Sequence, residues 1–71
     1  MNTETIREWL SRRPFEPFLL MLSGGESYSV KHPENVIVLK TRLILGYPET
    51  DSVAHVALLH VTSVRPIETV R

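Results

Sequence analysis

Along the first third of the chain the spacing of apolar residues changes period once. In MNTETIREWLSRR they fall at Ile6, Trp9 and Leu10, the i, i+3, i+4 spacing of one helical face. Asn2 or Thr3 is placed to cap the free N–H groups, and Glu4 suits the positive end of the helix dipole. Arg12 and Arg13 suit the negative end and Pro14 stops the helix, so an N-terminal helix is predicted within residues 1–13. A helix this short is marginal alone and has to dock, with Trp9 as the expected anchor.

After Phe15-Glu16-Pro17 the period becomes that of a strand. Phe18, Leu20 and Leu22 alternate with Leu19 and Met21, both sets apolar, which predicts a strand covered on its two faces by the interior and the helix. Ser23-Gly24-Gly25-Glu26 has the residues of a tight hairpin. The returning strand puts Tyr28 and Val30 on one face and Ser27, Ser29 and Lys31 on the other, so it is half-buried. Val36–Leu39 and Leu43–Leu45 are β-branched or aliphatic runs, and Lys40-Thr41-Arg42 reads either as a turn between them or as a polar bend in one long strand. A polar loop follows over Pro48–Ser52. Val53–Leu58 is a further strand with Val56 and Leu58 inward and His55 outward, Leu59–Thr62 is a one-turn connector, and Ser63–Ile67 is a last short strand. Closing such short strands into a small barrel removes the exposed edges that a flat sheet would leave.

Composition tightens this picture in two ways. A 71-residue chain is one domain near the lower size limit for independent folding, with a core worth roughly 3–5 kcal/mol. It has no cysteine, so neither disulfides nor thiolate metal sites reinforce it, and self-association is the expected extra source of stability. Eight basic residues balance eight acidic ones, so no global field draws the chain to nucleic acid or to an acidic membrane. The opening MNTETIREWL does not have the form of a secretory signal, no run approaches a membrane span, and a cytoplasmic location is expected.

The pattern RRPFEPFLLMLSGGESYSVKHPENVIVL, followed by LLHVTSVRPI, resembles a group of small uncharacterised bacterial proteins. They share an Arg-Pro-Phe-x-Pro-Phe opening, a glycine hairpin, His-Pro-Glu and a Leu-Leu-His-Val/Ile-Thr ending. More distantly, the order of helix, five strands and a one-turn link before the last strand is similar to the bacterial Sm-like RNA chaperones, with HVALLHVTSVRP resembling their last two strands. That likeness implies a barrel whose sheet continues into a neighbouring subunit to form a ring. It does not imply their RNA site: where those proteins have Tyr-Lys-His, this chain has Ala57, Leu58 and Leu59, and His60 falls one place late.

Candidate chemistry is sparse. In SVKHPENVIV, His32 and Glu34 are two apart and would point the same way in an extended segment, as an acid–base pair requires. Pro33 lacks the N–H of a strand ladder, which favours a turn or bulge with both side chains at a rim. His32, His55 and His60 have no short-spaced ligand motif for zinc, and His60 is expected to hydrogen-bond within its turn. No nucleophile elbow or phosphate loop is present. Lys31, His32, Lys40, Arg42 and Arg65 are the candidate nucleic-acid-binding residues, with Tyr28, Tyr47 or Phe15 available for stacking if exposed.

These observations predict a mainly β single domain over residues 1–71: a helix within 1–13, then a five-stranded, strongly bent SH3-like or Sm-like small barrel over 17–67. An open five-stranded sheet with the helix on one face is the competing architecture. The expected function is a non-enzymatic, self-associating structural or interaction module, a homo-oligomer through its edge strands, with no cofactor, no membrane contact and no evident small-molecule substrate. An oligomeric RNA-binding ring is the alternative.

Overall fold

The computed structural model describes residues 1–67. Helix α1 covers Thr3–Leu10 and is capped by Asn2, whose Oδ1 accepts from the Thr5 N–H at 2.9 Å and from the Thr5 hydroxyl at 3.0 Å. It is shorter than the 1–13 expected from the sequence. The chain leaves helical geometry at Ser11 (φ −94°, ψ 0°), and Pro14 disfavours an α conformation for Arg13. Arg12 instead folds back, its guanidinium 3.8 Å from the centre of the Trp9 ring and 2.9 Å from Glu16 Oε1. The fully buried residue of the helix is Ile6; Trp9, the expected anchor, is half-buried and tilts against Phe18 with ring centres 5.3 Å apart. Phe15 meets the same ring at 6.0 Å.

Among the described residues six strands follow, in two antiparallel sheets of three. They are β1 (Phe18–Leu22), β2 (Ser27–Val30), β3 (Val36–Val38), β4 (Arg42–Tyr47), β5 (Ser52–Ala57) and β6 (Val61–Pro66). One sheet has the order β2-β1-β6 and the other β3-β4-β5. The expected count was five. The sixth strand exists because Lys40-Thr41 is a turn, not a bend: the Leu39 N–H donates to the Arg42 carbonyl at 2.9 Å and β4 runs back along β3. No closed ladder joins the two sheets among the described residues.

Register sorts the side chains. Phe18 pairs with Val30 and Pro66, and Leu20 with Tyr28 and Val64, so these six residues share the inner face with Leu22. Leu19 and Met21 point the other way, between Ser29 and Arg65 and between Ser27 and Ser63. That outer face was expected to lie under the helix. The helix packs instead at the inner side beside Phe18, and Leu19 and Met21 are half-buried by polar neighbours. In the second sheet Leu43, Leu45 and Val56 point inward and are buried, completing one core with Ile6, Phe18, Leu20, Val30, Leu58 and Val61.

The connections are local in origin. Ser23-Gly24-Gly25 makes the β1–β2 loop, with Gly25 at φ +93°, where glycine avoids the strain a side chain would meet. Asp51, at φ 53°, ends the 3-10 turn Pro48–Thr50 and turns the chain into β5. The link between the sheets at Leu58–His60 is a single 3-10 turn, and β6 begins at Val61, two residues before the position expected. Val61 is buried opposite Leu22, and the register shift there leaves Thr62 out of the ladder; its hydroxyl donates to the Met21 carbonyl at 3.0 Å.

Replacing Phe18 by alanine is expected to cost about 3–5 kcal/mol, as much as the whole stability of a core this size. The variant should lose near-ultraviolet circular dichroism and amide dispersion at room temperature. A cooperative urea transition close to that of the native chain would show that this ring is not the keystone. Asn2→Ala, which removes only the helix cap, should cost about 1 kcal/mol and leave the fold intact.

Candidate functional site

Two surfaces of the described residues are organised enough to act. The first lies where the chain crosses from one sheet to the other after β2. Pro33 begins a 3-10 turn over Pro33–Asn35, closed by the Asn35 N–H donating to the His32 carbonyl at 3.1 Å. Here the sheets part and leave a cleft of about 300 Å³ lined by the end of β2, the turn, the end of β4 and the 3-10 turn Pro48–Thr50. Its floor is Val30, Val36 and Leu45, while Lys31, His32, Asn35 and Glu49 stand among its walls. Tyr47 ties the two sides: its hydroxyl donates to the Ser29 carbonyl at 2.9 Å.

Burial raises the pKa of the Tyr47 phenol, nearby Tyr28 adds to the rise, and a hydrogen bond with Ser29 partly opposes it. The phenol is therefore neutral at physiological pH and keeps the proton that its bond to Ser29 needs. Tyr28, Tyr47 and Phe15, the stacking candidates, are all half-buried and packed against the core.

His32 and Glu34 do not line one cleft. His32 is extended (φ −138°, ψ 122°) and lines the cleft, whereas Glu34 belongs to the turn and is not part of the cleft wall. The same-side geometry of an extended segment ends at Pro33. His55 lies on the outward face of β5 and His60 in the 3-10 turn before β6, and among the described residues no group of three metal-ligating side chains could hold an ion. The Leu58–His60 turn is held through the backbone, the His60 carbonyl accepting from the Ser23 N–H at 2.9 Å.

The second surface is the outer face of the β3-β4-β5 sheet. The register places Ile37, Ile44 and His55 in one row, Arg42 beside Ala57, and Gly46 beside Val53. Ile37 and Val53 are 56% and 59% exposed, and Leu59, just past β5, is 86% exposed. A shallow hollow lined by Thr41, Arg42, His55, Ala57 and Leu59 lies at one end of this face.

The five basic candidates are divided between these places. Lys31 and His32 are at the first cleft, Lys40 and Arg42 at the β3–β4 turn, and Arg65 on the outer face of the other sheet beside Leu19. Asn35, Tyr47 and Glu49 as cleft residues, and Ile37, Val53 and Leu59 as a surface, were not singled out from the sequence in those roles. Only the pairing of β4 with its neighbours identifies them. Among the described residues no helix is long and apolar enough to cross a membrane.

Tyr47→Phe should lower stability by about 0.5–1.5 kcal/mol at neutral pH through the lost bond to Ser29. Because the folded state holds the phenolic proton more tightly than the unfolded state, this contribution is complete below the ordinary phenol value near 10 and lost as pH rises through the higher folded value. Urea melts at neutral and alkaline pH should therefore show a shallower alkaline decline in the variant. An identical decline would remove Tyr47 as its source.

The chain matches no family model, no curated protein and no solved structure, so the geometry alone carries the functional reading.

Proposed function

We propose that the protein is a non-enzymatic, self-associating interaction module of the cytoplasm, joining copies of itself through the edge of β5, which has no strand partner among the described residues. The observation that carries the reading is the state of that edge. Ser52–Ala57 is six residues long and contains no proline, lysine or bulge, the usual devices that stop an edge strand from pairing. β6, equally long, has a register shift at its start and ends in Arg65-Pro66; β3 is only three residues. Beside the β5 edge lie Val53, Ala57 and Leu59, with Ile37 and Ile44 across the face. A second copy supplies both things this surface lacks: backbone partners for the edge and cover for its apolar side chains. The balanced charge sets no net repulsion between copies.

Within this proposal the two sheets are the halves of an SH3-like or Sm-like small barrel left open between them. The return of β6 to pair with β1, after a one-turn link, supports that architecture.

An RNA-binding ring is the second reading. It rests on the β3–β4 turn, where Lys40 and Arg42 flank Thr41, whose carbonyl accepts from the Leu58 N–H at 2.9 Å and so brings the turn against the segment bearing His60. Lys31, His32 and Arg65 lie outside this cluster.

Light scattering on the purified chain should give a mass that is a multiple of 8.1 kDa at micromolar concentration, free of nucleic-acid absorbance. Val53→Lys with Leu59→Lys, both at exposed positions, should return it to a folded monomer. A native chain that is already monomeric would overturn the proposal. An assembly that carries RNA, releases it steeply with salt and loses it on Lys40→Ala with Arg42→Ala would establish the second reading instead.

A further inference from the structure

We propose that the cleft between the sheets binds a small zwitterion, a free α-amino acid with an apolar side chain. The self-association surface is on the other side of the β3-β4-β5 sheet, because the inward-facing Leu45 and Val36 line the cleft while Val53, Ile37 and Ile44 face outward. Neither proposal depends on the other.

Size is the first argument. At roughly 30 Å³ for each water-sized group, the 300 Å³ of the cleft admits about ten non-hydrogen atoms, and this is the lower end of the range for ligand pockets. A single ion would leave most of it empty. The floor is the second argument. Val30 and Leu45 are buried in the core and Val36 is half-buried, so the base of the cleft is aliphatic and fixed by both sheets. An aliphatic or aromatic side chain is what that base would shelter from water.

Charge decides the class. Lys31, at the end of β2, and Glu49, in the 3-10 turn after β4, come from different elements and line the same cleft. They are not paired with each other, and the ion pair among the described residues is Arg12 with Glu16, on the exposed N-terminal segment. The cleft thus presents one cation and one carboxylate, each without a salt-bridge partner among the described residues. A ligand bearing only a carboxylate would meet Lys31 but face repulsion from Glu49. One bearing only an ammonium group would have the reverse difficulty. A ligand with an ammonium and a carboxylate on one carbon and an apolar tail satisfies the two walls and the floor together. His32, Asn35 and Ser29 add further hydrogen-bonding groups around the same opening, and the bond from Tyr47 to Ser29 keeps the two sides at a set distance. Gly46 also lines the cleft.

The test is a titration of the ¹⁵N-labelled full chain followed by NMR, with L-leucine, L-methionine and L-phenylalanine as probes. At least one should give saturable shifts concentrated at the amides of Lys31, Asn35, Val36, Gly46 and Tyr47. For that probe, the matching carboxylic acid without the amino group and the matching amine without the carboxylate should each bind at least about tenfold more weakly. Lys31→Ala and Glu49→Gln, both at exposed positions and each shown to be folded by its own spectrum, should weaken the amino acid by a similar factor. Absence of saturable shifts at these amides with all three probes overturns the proposal. So does equal binding of the acid or the amine, or affinity unchanged in both variants.

Discussion

The inward ring of Phe18 is the constraint from which the rest of the structure follows. Phe18 opens the central strand of the first sheet, sits directly after the segment that leaves the helix, and touches both Trp9 and Phe15. A chain without disulfides has only such packing to hold a helix of eight residues in place. Once Phe18 faces inward, strand parity sends Leu20 the same way and turns Leu19 and Met21 out. The register of β2 and β6 on either side then follows, including the bulge at Thr62 that lets Val61 reach the core while β6 still ends beside Phe18.

Two crossings between the sheets translate that arrangement into surfaces. Both are single 3-10 turns, Pro33–Asn35 and Leu58–His60, yet they leave different results. At the second, Leu58 is buried and its N–H donates to Thr41, so the turn is packed at its start, while Leu59 and His60 are exposed. At the first, no residue of the turn is buried, and the gap beneath it is spanned by Tyr47 rather than filled. The packed crossing borders the apolar outer face; the unfilled one becomes the cleft. The face proposed for self-association and the hollow proposed for a small ligand thus lie on opposite sides of a single three-stranded sheet.

Parts of this were legible in the residue pattern because their causes are local. The helix register of Ile6, Trp9 and Leu10, the glycine hairpin after Leu22, the break at Pro33 and the inward set of Val56 and Leu58 each depend on residues within a few positions. The length of the helix was overread because Arg12 and Arg13, good residues for a helix end, are instead engaged by Trp9, Glu16 and the approach of Pro14. The extended pairing of His32 with Glu34 dissolved for a similar reason: spacing describes a strand only as far as the strand continues. Leu19 and Met21 looked like a second buried face because apolar identity alone does not show where the helix will dock.

The sequence by itself determined the class of the domain, the position of most turns and the inward residues of the second and fifth strands, since these are set by alternation, proline and glycine over short distances. Only the tertiary structure decided which residues become neighbours across the chain. It brought Lys31 and Glu49 to one cleft, set Tyr47 against Ser29, and left Val53 exposed on an edge strand. Those outcomes come from pairing β4 with β3 and β5 and from the crossing at Pro33, which bring residues far apart in sequence to within a hydrogen bond or a cleft's width. Periodicity carries no information at that range, and packing around Phe18 does.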